Sequence, residues 1–216
     1  MVSYTAWRKD VVPPHASIVA AAAALVYALM WVGWRQDWGW LAAVDTAALT
    51  AAHDIGVKHH GWVQFWQLLC TVFSPAAFRV VGMLAVVAAL VRRRLRAALF
   101  LLVAVELSEV VTHVAKTLAE RPRPVTALVV EPSWSFPSGH ALGVIVAVLA
   151  LLTVLLPLLG PAARPAAMAV GALIVVAVGV GRVALNVHHP SDVLAGWALG
   201  YLYFLLCRRV LRPQVG

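Results

Sequence analysis

The sequence predicts an all-α integral membrane protein, built as a bundle of about six transmembrane helices. Of the 216 residues, 62% are hydrophobic and only 12% are charged. The mean hydropathy of +0.88 lies far outside the range of soluble domains. In addition, apolar runs of about 17 to 20 residues recur along the chain, which is the length a helix needs to cross a bilayer. We therefore expect one transmembrane domain over residues 1–216.

Six apolar segments are predicted to cross the membrane, and five of them are evident from their length. The remaining apolar stretch, residues 62–91, is too long for one crossing and too short for two. Ser74, Pro75 and Arg79 divide this stretch, because a residue that precedes proline is disfavoured in a helix. Residues 62–73 are therefore predicted to form a short interfacial helix. The predicted spans are residues 18–34, 76–91, 97–115, 141–159, 166–181 and 191–207.

The distribution of basic residues predicts that both termini face the cytoplasm. With the N-terminus inside, ten Lys and Arg residues, including Arg8 and Lys9, fall on the inner side and seven on the outer side. Four of the ten lie in the block 92–96, which is difficult to translocate. We expect the polar residues of the outer loops to meet on the extracytoplasmic face. The outer segments are residues 37–60, expected to be partly helical, 116–140 and 182–192.

The first polar cluster is the segment KTLAERPRP, which begins with Lys116 at the end of the third span and contains Arg123. A basic, proline-rich loop of this kind is usually a stiff solvated connector. On the same span, however, Glu106, Glu109 and His113 fall within an arc of about 80° with Lys116 on a regular helix. Because charged groups inside a bilayer are costly, this face is expected to look into the bundle. Polar packing between helices is the alternative to a functional role.

The second cluster is SFPSGHALG, in which polar residues precede the fourth span. Ser138 is predicted to cap the N-terminus of this helix, whose free N–H groups then carry the positive end of the helix dipole. Gly139 would let an anion such as phosphate approach the backbone closely. His140 would stand at the rim, where a leaving oxygen needs a proton donor. Helix capping alone is the simpler alternative.

The third cluster is GRVALNVHHPSD, in which Arg182 is followed by His188 and then by Asp192. A histidine can attack phosphorus when a carboxylate holds its other ring nitrogen, because the carboxylate fixes the tautomer and stabilises the developing charge. Asp192, four residues after His188, suits this role. An ordinary short loop with a capping residue on the last span explains the same segment equally well. The neighbouring His189 leaves open which histidine acts.

The three clusters together resemble the signature of the type 2 phosphatidic acid phosphatase superfamily. Six residues separate Lys116 from Arg123, and five separate Arg182 from His188. Three more residues lead to Asp192, and only His188 satisfies both spacings of the third motif. Each part alone is a modest match, whereas all three in order on one membrane face make a strong one. The motifs occupy residues 116–124, 137–140 and 182–192.

This resemblance implies a hydrolase that works through a phosphohistidine. His188 would attack the phosphorus, Asp192 would orient it, and His140 would protonate the departing lipid oxygen and then activate water. Glu109 and His113 would support the site from behind the residues that touch the substrate. The residues implied to hold the phosphoryl oxygens are Lys116, Arg123, Arg182 and the backbone of Ser138 and Gly139.

Two further features bear on what the site holds. Gly181 stands where the family often has serine, and this difference removes a possible hydrogen bond to phosphate. The group His53, Asp54, His59 and His60 imitates a metal site in composition only, because its spacing fits no standard ligand pattern. We therefore expect no cofactor and no metal, since side chains supply the cations.

The expected substrate is a lipid whose phosphate lies at the level of the headgroups. An undecaprenyl-type polyprenyl diphosphate is favoured, and phosphatidylglycerol phosphate and phosphatidic acid are the alternatives. The net charge of +8 is assigned to anionic membrane lipids and not to nucleic acid. A non-catalytic lipid-binding or transport bundle is the alternative of another class. The haloperoxidase branch of the family is disfavoured because those relatives are soluble.

Overall fold

A computed structural model describes residues 14–213 of the protein, with side chains from residue 17 onward. Arg8 and Lys9, which entered the topology prediction, lie outside the described residues. The described residues form nine α-helices and no strand, so the all-α prediction is confirmed. The helices are α1 (Pro14–Arg35), α2 (Gly39–Lys58), α3 (His60–Val72), α4 (Pro75–Val91), α5 (Leu95–Leu101), α6 (Ser108–Ala119), α7 (Gly139–Leu155), α8 (Ala163–Ala184) and α9 (Pro190–Leu211).

Six helical segments of the described chain are long and apolar enough to cross a membrane, which confirms the predicted number. Most extend one to several residues beyond the predicted ends, because the polar residues at the borders continue the helices. The segments are Ser17–Arg35, His60–Val91, Leu95–Ala119, Gly139–Leu158, Ala163–Ala184 and Pro190–Leu211.

The second of these segments is divided where the sequence predicts it. The Ser74 hydroxyl accepts a hydrogen bond of 3.1 Å from the Ala77 N–H, and Pro75 occupies the first position of α4, where its missing N–H costs nothing. The preceding helix α3 packs along α8. The indole N–H of Trp62 donates to the Ala184 carbonyl at 3.2 Å, and Cys70 is buried beside Val178.

The segment 37–60 is almost wholly helical, which exceeds the partial helix predicted for it. Within α2, Leu41, Asp45, Leu49 and Gly56 are buried. A helix with an apolar buried stripe that includes one carboxylate is an integral part of the bundle. The packed face of α2 therefore brings a charged residue to the same region as the polar motifs.

Helices α7 and α9 approach each other closely at two glycines. A Cβ added to Gly196 would lie 2.6 Å from the carbonyl oxygen of Ser138, and one added to Gly200 would lie 2.9 Å from that of Leu142. Larger residues at these positions would force the helices apart. The close contact joins the beginnings of both helices, and the Ser138 N–H donates to the Asp192 carbonyl at 2.9 Å.

The third span changes its course near its middle. Leu102–Glu106 forms a π-helical turn between α5 and α6, an irregularity that is often found at functional sites. Helix α6 then ends at Glu120, whose φ of 52° stops the helix in the left-handed conformation. The ends of α6 and α8 and the beginnings of α7 and α9 thus form one end of the bundle, which we call the site end.

Candidate active site

Six residues from the three motifs line one cavity of about 280 Å³ at the site end. Residues of α4 form one wall of this cavity, residues of α6 form another, and residues at the beginning of α7 form a third. The segments that the sequence analysis expected to meet are therefore brought together. The six residues are Lys116, Arg123, Gly139, His140, Arg182 and His188.

The loop before α7 holds the three cations that the motifs contribute to the cavity. The carboxylate of Glu131 accepts from Arg182 Nη2 at 2.5 Å and lies 3.9 Å from Arg123 Nη2. The Ser133 carbonyl accepts from Arg123 Nε at 2.7 Å, and the Trp134 carbonyl accepts from the Lys116 ammonium. The cations are thus fixed in direction by an irregular loop that carries no helical periodicity.

Glu131 is the single carboxylate among these cations, and it is ionised. Burial by itself raises the pKa of Glu131, but the charge and hydrogen bond of Arg182, together with the charge of Arg123, lower it more, so the pKa lies below its usual value. The side chain is 26% exposed. Glu131 therefore occupies a partly exposed position among the cations, of the kind that an incoming anion could take.

His188 presents an unprotonated nitrogen to the cavity. Arg123 Nη1 lies 3.2 Å from His188 Nε2, and a guanidinium can only donate, so Nε2 must accept. The proton of the neutral ring therefore sits on Nδ1. Burial holds the pKa of His188 well below its usual range, against the opposing hydrogen bond of Asp192, so the ring is neutral at pH 7.

Asp192 lies behind the ring, on the side away from the cavity, and is completely buried. Its Oδ2 is 3.5 Å from His188 Nδ1, and the same oxygen accepts from the Ser135 hydroxyl at 2.5 Å and from the His189 N–H at 2.9 Å. Its Oδ1 accepts from Arg121 Nη1 at 2.6 Å. With every neighbour a donor, the carboxylate is charged and fixed in orientation.

A second buried carboxylate, Asp45 of α2, extends this group. Its Oδ2 accepts from Arg121 Nη2 at 2.9 Å and from the Ser191 hydroxyl at 2.5 Å. Its Oδ1 accepts from the Ser191 N–H at 3.0 Å. Arg121 thus bridges Asp45 and Asp192, and all four residues of this network are at most 7% exposed. Helix α2 is thereby tied to the carboxylate that lies behind His188.

The two neighbouring histidines face different spaces. His188 lines the cavity of the cations, whereas His189 lines a separate outer cavity of about 490 Å³ beside Trp34 and His53. Both contact Asp192, but the contact of His189 also serves the start of α9, where the Asp192 carboxylate accepts from the His189 backbone N–H. Position therefore distinguishes His188 as the candidate nucleophile.

Two predicted site residues lie elsewhere. The Ser138 side chain caps α7 by accepting from the Ala141 N–H at 3.4 Å, and its own N–H is occupied by the Asp192 carbonyl. Ser138 is completely buried and does not line the cavity, so its contact with phosphate stays a prediction. His113 is exposed and lies off the cavity, because the residues of α6 that face the cavity are Ser108, Glu109, Thr112 and Lys116.

The predicted polar face of the third span is therefore only partly correct. Glu106 belongs to the π-helical turn, where the regular 100° rotation does not apply. One of its carboxylate oxygens is buried without a hydrogen-bond partner in the described part of the chain. Glu109 lines the cavity and pairs with Arg79 of α4, although its side chain is 66% exposed.

Gly181 departs from the family pattern for a reason of packing. A Cβ at this position would lie 2.7 Å from Cys70 Sγ and 3.0 Å from the Trp66 ring. Helix α3 thus covers the place that a serine side chain would need. Gly181 does not line the cavity, so its lack of a hydroxyl is a consequence of the close contact between α3 and α8.

Sequence reasoning missed the residues that hold the motifs in place, above all Glu131, Arg121 and Asp45. Two signals were available. Glu131 is the single acidic residue between Glu120 and Asp192, and Asp45 interrupts an alanine-rich apolar run. The histidines of segment 53–60 form no metal site. Across residues 14–213, no three His, Cys, Asp or Glu side chains come close enough to share an ion.

Comparison with known proteins gives the family. The model of the PAP2 superfamily matches residues 97–215, more than half of the 216 residues. Phosphatidylglycerophosphatase B of Bacillus subtilis (strain 168) is 39% identical over 98 residues. The matched residues cover 44% of this chain and 48% of that relative, so the match spans only about half of the relative's length. A crystal structure described as the first transmembrane PAP2-type phosphatidylglycerolphosphate phosphatase from Bacillus subtilis superposes with a TM-score of 0.76 at 25% identity, covering 88% of this chain and 94% of that one. The chain belongs to the PAP2 superfamily.

Proposed function

We propose that the protein is a membrane lipid phosphatase that removes the terminal phosphate of phosphatidylglycerol phosphate. The family and the names of both relatives support a phosphatase of this lipid. The polyprenyl diphosphate favoured by the sequence analysis has no such support, so the alternative given there becomes the first choice. The six long apolar helices agree with a substrate that stays in the membrane.

One observation carries the proposal: the lone pair of His188 Nε2 faces a cavity into which three cations converge. Arg182 lines this cavity, and its Nε is buried without a hydrogen-bond partner among the described residues. A buried donor of this kind costs free energy unless a ligand satisfies it. A phosphoryl oxygen, held by Lys116, Arg123 and Arg182, supplies that partner and brings the phosphorus to the histidine.

In the first step, His188 Nε2 attacks the phosphorus and the bond to the glycerol oxygen breaks. The ring becomes a cation as the N–P bond forms, and the Asp192 carboxylate behind Nδ1–H stabilises this charge. His140, at the start of α7, donates a proton to the departing glycerol oxygen. The lipid product leaves as an alcohol, and the phosphoryl group remains on His188.

In the second step, water hydrolyses the phosphohistidine. His140, now neutral, takes a proton from the attacking water as its oxygen bonds to phosphorus. The N–P bond breaks, inorganic phosphate leaves, and His188 returns to its neutral form. Throughout both steps, the arginines and Lys116 balance the negative charge of the transferred group, which is the main requirement of phosphoryl transfer.

The site end is proposed to face the outside of the cell. Eight arginines of the described chain lie near the other end, at the α4–α5 turn, the start of α8 and the end of α9. Short cytoplasmic segments carry such an excess of basic residues. The eight are Arg92, Arg93, Arg94, Arg96, Arg164, Arg208, Arg209 and Arg212.

The test is phosphate release from a panel of short-chain lipids in detergent with EDTA present. Phosphatidylglycerol phosphate, phosphatidic acid and a polyprenyl diphosphate are compared by kcat/KM. We expect the first to be the best substrate, and the variant His188→Ala to lose release from all three. The exposed residue Arg92, at the opposite end, provides the control variant Arg92→Gln, which should keep full activity.

Other outcomes separate the alternatives. Preference for polyprenyl diphosphate would keep the chemistry and overturn the substrate. Saturable binding of these lipids without phosphate release would instead favour a non-catalytic lipid-binding bundle. Activity that requires added magnesium would contradict a site whose cations are side chains.

A further inference from the structure

A fourth cation, Arg79, lines the same cavity and belongs to none of the three motifs. It is the fifth residue of α4, so it lies beyond the loops that supply the other cations. Its guanidinium forms an ion pair with Glu109 of α6. The reaction described above uses neither residue, although both face the space that the substrate must enter.

The ion pair stands at the mouth of the cavity between α4 and α6. The Glu109 side chain is 66% exposed and that of Arg79 is 32% exposed, unlike Lys116 and Arg182, which are buried. Arg79 is the single charged residue of α4, whose other residues are apolar, and both helices belong to membrane-spanning segments. Charged side chains inside such segments are costly, and they mark the paths or sites of polar ligands.

We infer that Arg79 binds a second phosphate group of the lipid, the phosphodiester of a lipid whose terminal phosphate is being removed. This inference rests on the proposed function. In the free protein Glu109 takes the place of that phosphodiester. When the lipid enters between α4 and α6, the guanidinium exchanges the carboxylate for two phosphodiester oxygens, which match its planar pair of N–H donors.

The spacing along α6 favours a particular class of lipid. Lys116 follows Glu109 by seven positions, or about 10 Å along the helix, and both line the cavity. Because Arg79 pairs with Glu109, it lies farther from the site end, toward the middle of the membrane, than the cations that hold the terminal phosphate. A glycerol bridge between two phosphates, together with the long side chains of Arg79 and Lys116, covers such a separation, whereas a diphosphate joins its two phosphorus atoms through a single oxygen. A lipid with one phosphate leaves Arg79 paired with Glu109.

The direction of entry agrees with this order of groups. The tails of a lipid that arrives between two spans stay in the membrane, and its headgroup points toward the site end. The terminal phosphate enters first and passes Arg79. The phosphodiester, which lies between the tails and the terminal phosphate, follows it and stops beside Arg79. The terminal phosphate continues to Arg123, Arg182 and His188. One ion pair at the mouth thus distinguishes lipids by the number and spacing of their phosphates.

The experiment compares two lipids on Arg79→Gln and Glu109→Gln in detergent. For Arg79→Gln we expect kcat/KM on short-chain phosphatidylglycerol phosphate to fall by about tenfold or more, the loss of one charge-assisted contact, mostly through KM. Hydrolysis of phosphatidic acid should change by no more than about twofold, since no contact is lost. Arg79→Lys should lie between the two, because an ammonium keeps the charge without the bidentate contact.

Glu109→Gln is expected to act in the opposite direction. Without the competing carboxylate, KM for phosphatidylglycerol phosphate should fall several-fold while that for phosphatidic acid stays the same. This variant keeps the test valid if Arg79→Gln fails to fold, and retained hydrolysis of phosphatidic acid reports on folding. Arg92→Gln, at the opposite end of α4, is the matched control for the loss of one arginine.

The inference is overturned if Arg79→Gln lowers hydrolysis of both lipids equally, which indicates a structural role for the ion pair. It is also overturned if Glu109→Gln leaves KM for phosphatidylglycerol phosphate unchanged. In both cases the wild-type protein still hydrolyses lipid phosphates, so the proposed function stands. If the wild-type protein hydrolyses neither lipid, the proposed function fails and the inference fails with it.

Discussion

His188 has a group of charged residues on each of its two sides, and the groups differ in burial and in net charge. On the cavity side, Lys116, Arg123 and Arg182 face the carboxylate of Glu131, so three positive charges and one negative charge leave a net charge of +2, to which the Arg79–Glu109 ion pair adds nothing. Behind the ring, Arg121 pairs with Asp45 and Asp192, so one positive and two negative charges leave −1.

This difference suits two tasks. The cavity side carries the charge that a phosphate dianion requires, and its carboxylate is partly exposed and can be exchanged for the substrate. The buried side carries the charge that a histidine needs when it becomes a cation. Its members are fully paired and enclosed. In the proposed reaction, the cavity side therefore binds the phosphate and the buried side positions the ring.

The largest effect is expected from the buried side, when the charge behind the ring is removed. Asp192→Asn replaces the carboxylate with a neutral amide. The amide can no longer hold the Nδ1–H tautomer of His188 or stabilise the ring cation. Phosphate release should fall on the order of 10³- to 10⁴-fold, as for a comparable carboxylate in a catalytic triad. The measurement is kcat with saturating lipid phosphate. A loss of less than tenfold would show that Asp192 serves the fold alone.

The next effect concerns the stability of the buried side. Arg121→Met leaves Asp45 and Asp192 without their shared partner, and breaking a buried ion pair in this way costs about 3–5 kcal/mol. We expect a clear fall in the thermal unfolding midpoint in detergent. The matched control Arg92→Met, on an exposed arginine, should leave the midpoint unchanged. Equal midpoints for both variants would mean that the network adds nothing to stability.

On the cavity side, a smaller effect of opposite sign is expected. Glu131→Gln removes the carboxylate that competes for Arg182 and Arg123 and raises the net charge of the cavity to +3. Inorganic phosphate should then inhibit about tenfold more strongly, which corresponds to about 1.4 kcal/mol. The inhibition constant of phosphate is the measurement. Weaker inhibition would instead indicate that Glu131 holds the arginines in place for the substrate.

The smallest effect is a dependence of stability on pH. Because the pKa of His188 is lowered in the folded protein, its contribution to stability is fully present above the unfolded pKa of about 6.5 and is lost as the pH falls toward the folded pKa. The loss amounts to at most about 1.4 kcal/mol per pH unit for one proton. Between pH 6.5 and 5, the wild-type midpoint should therefore fall more steeply than that of His188→Gln. Parallel curves for the two proteins would contradict this.

Much of the fold followed from the sequence because spans and their breaks are local properties. The division at Ser74 and Pro75 needs only a capping side chain and a proline, and the structure has both. The convergence of His140, Arg182 and His188 followed from the alternation of the spans, which fixes the end of the bundle at which each loop lies. These predictions needed no knowledge of side-chain contacts.

The remaining parts could not be predicted because they depend on contacts between distant segments. Asp45 and Arg121 are 76 residues apart in the chain, and no periodicity links them. Glu131 lies in an irregular loop, where the backbone direction is set by tertiary contacts. His113 was placed in the site by extending a regular helix, but the π-helical turn and the actual packing of α6 direct other residues inward.

The most direct test of the account is to locate the transferred phosphate. The variant His140→Ala is incubated with a radiolabelled aryl phosphate, whose leaving group departs without a proton donor, so the first step proceeds and the second is slowed. We predict an acid-labile label on His188, identified by mass spectrometry of the peptide and missing in the double variant His140→Ala/His188→Ala. A label on another residue, or one that persists in the double variant, would contradict His188 as the nucleophile.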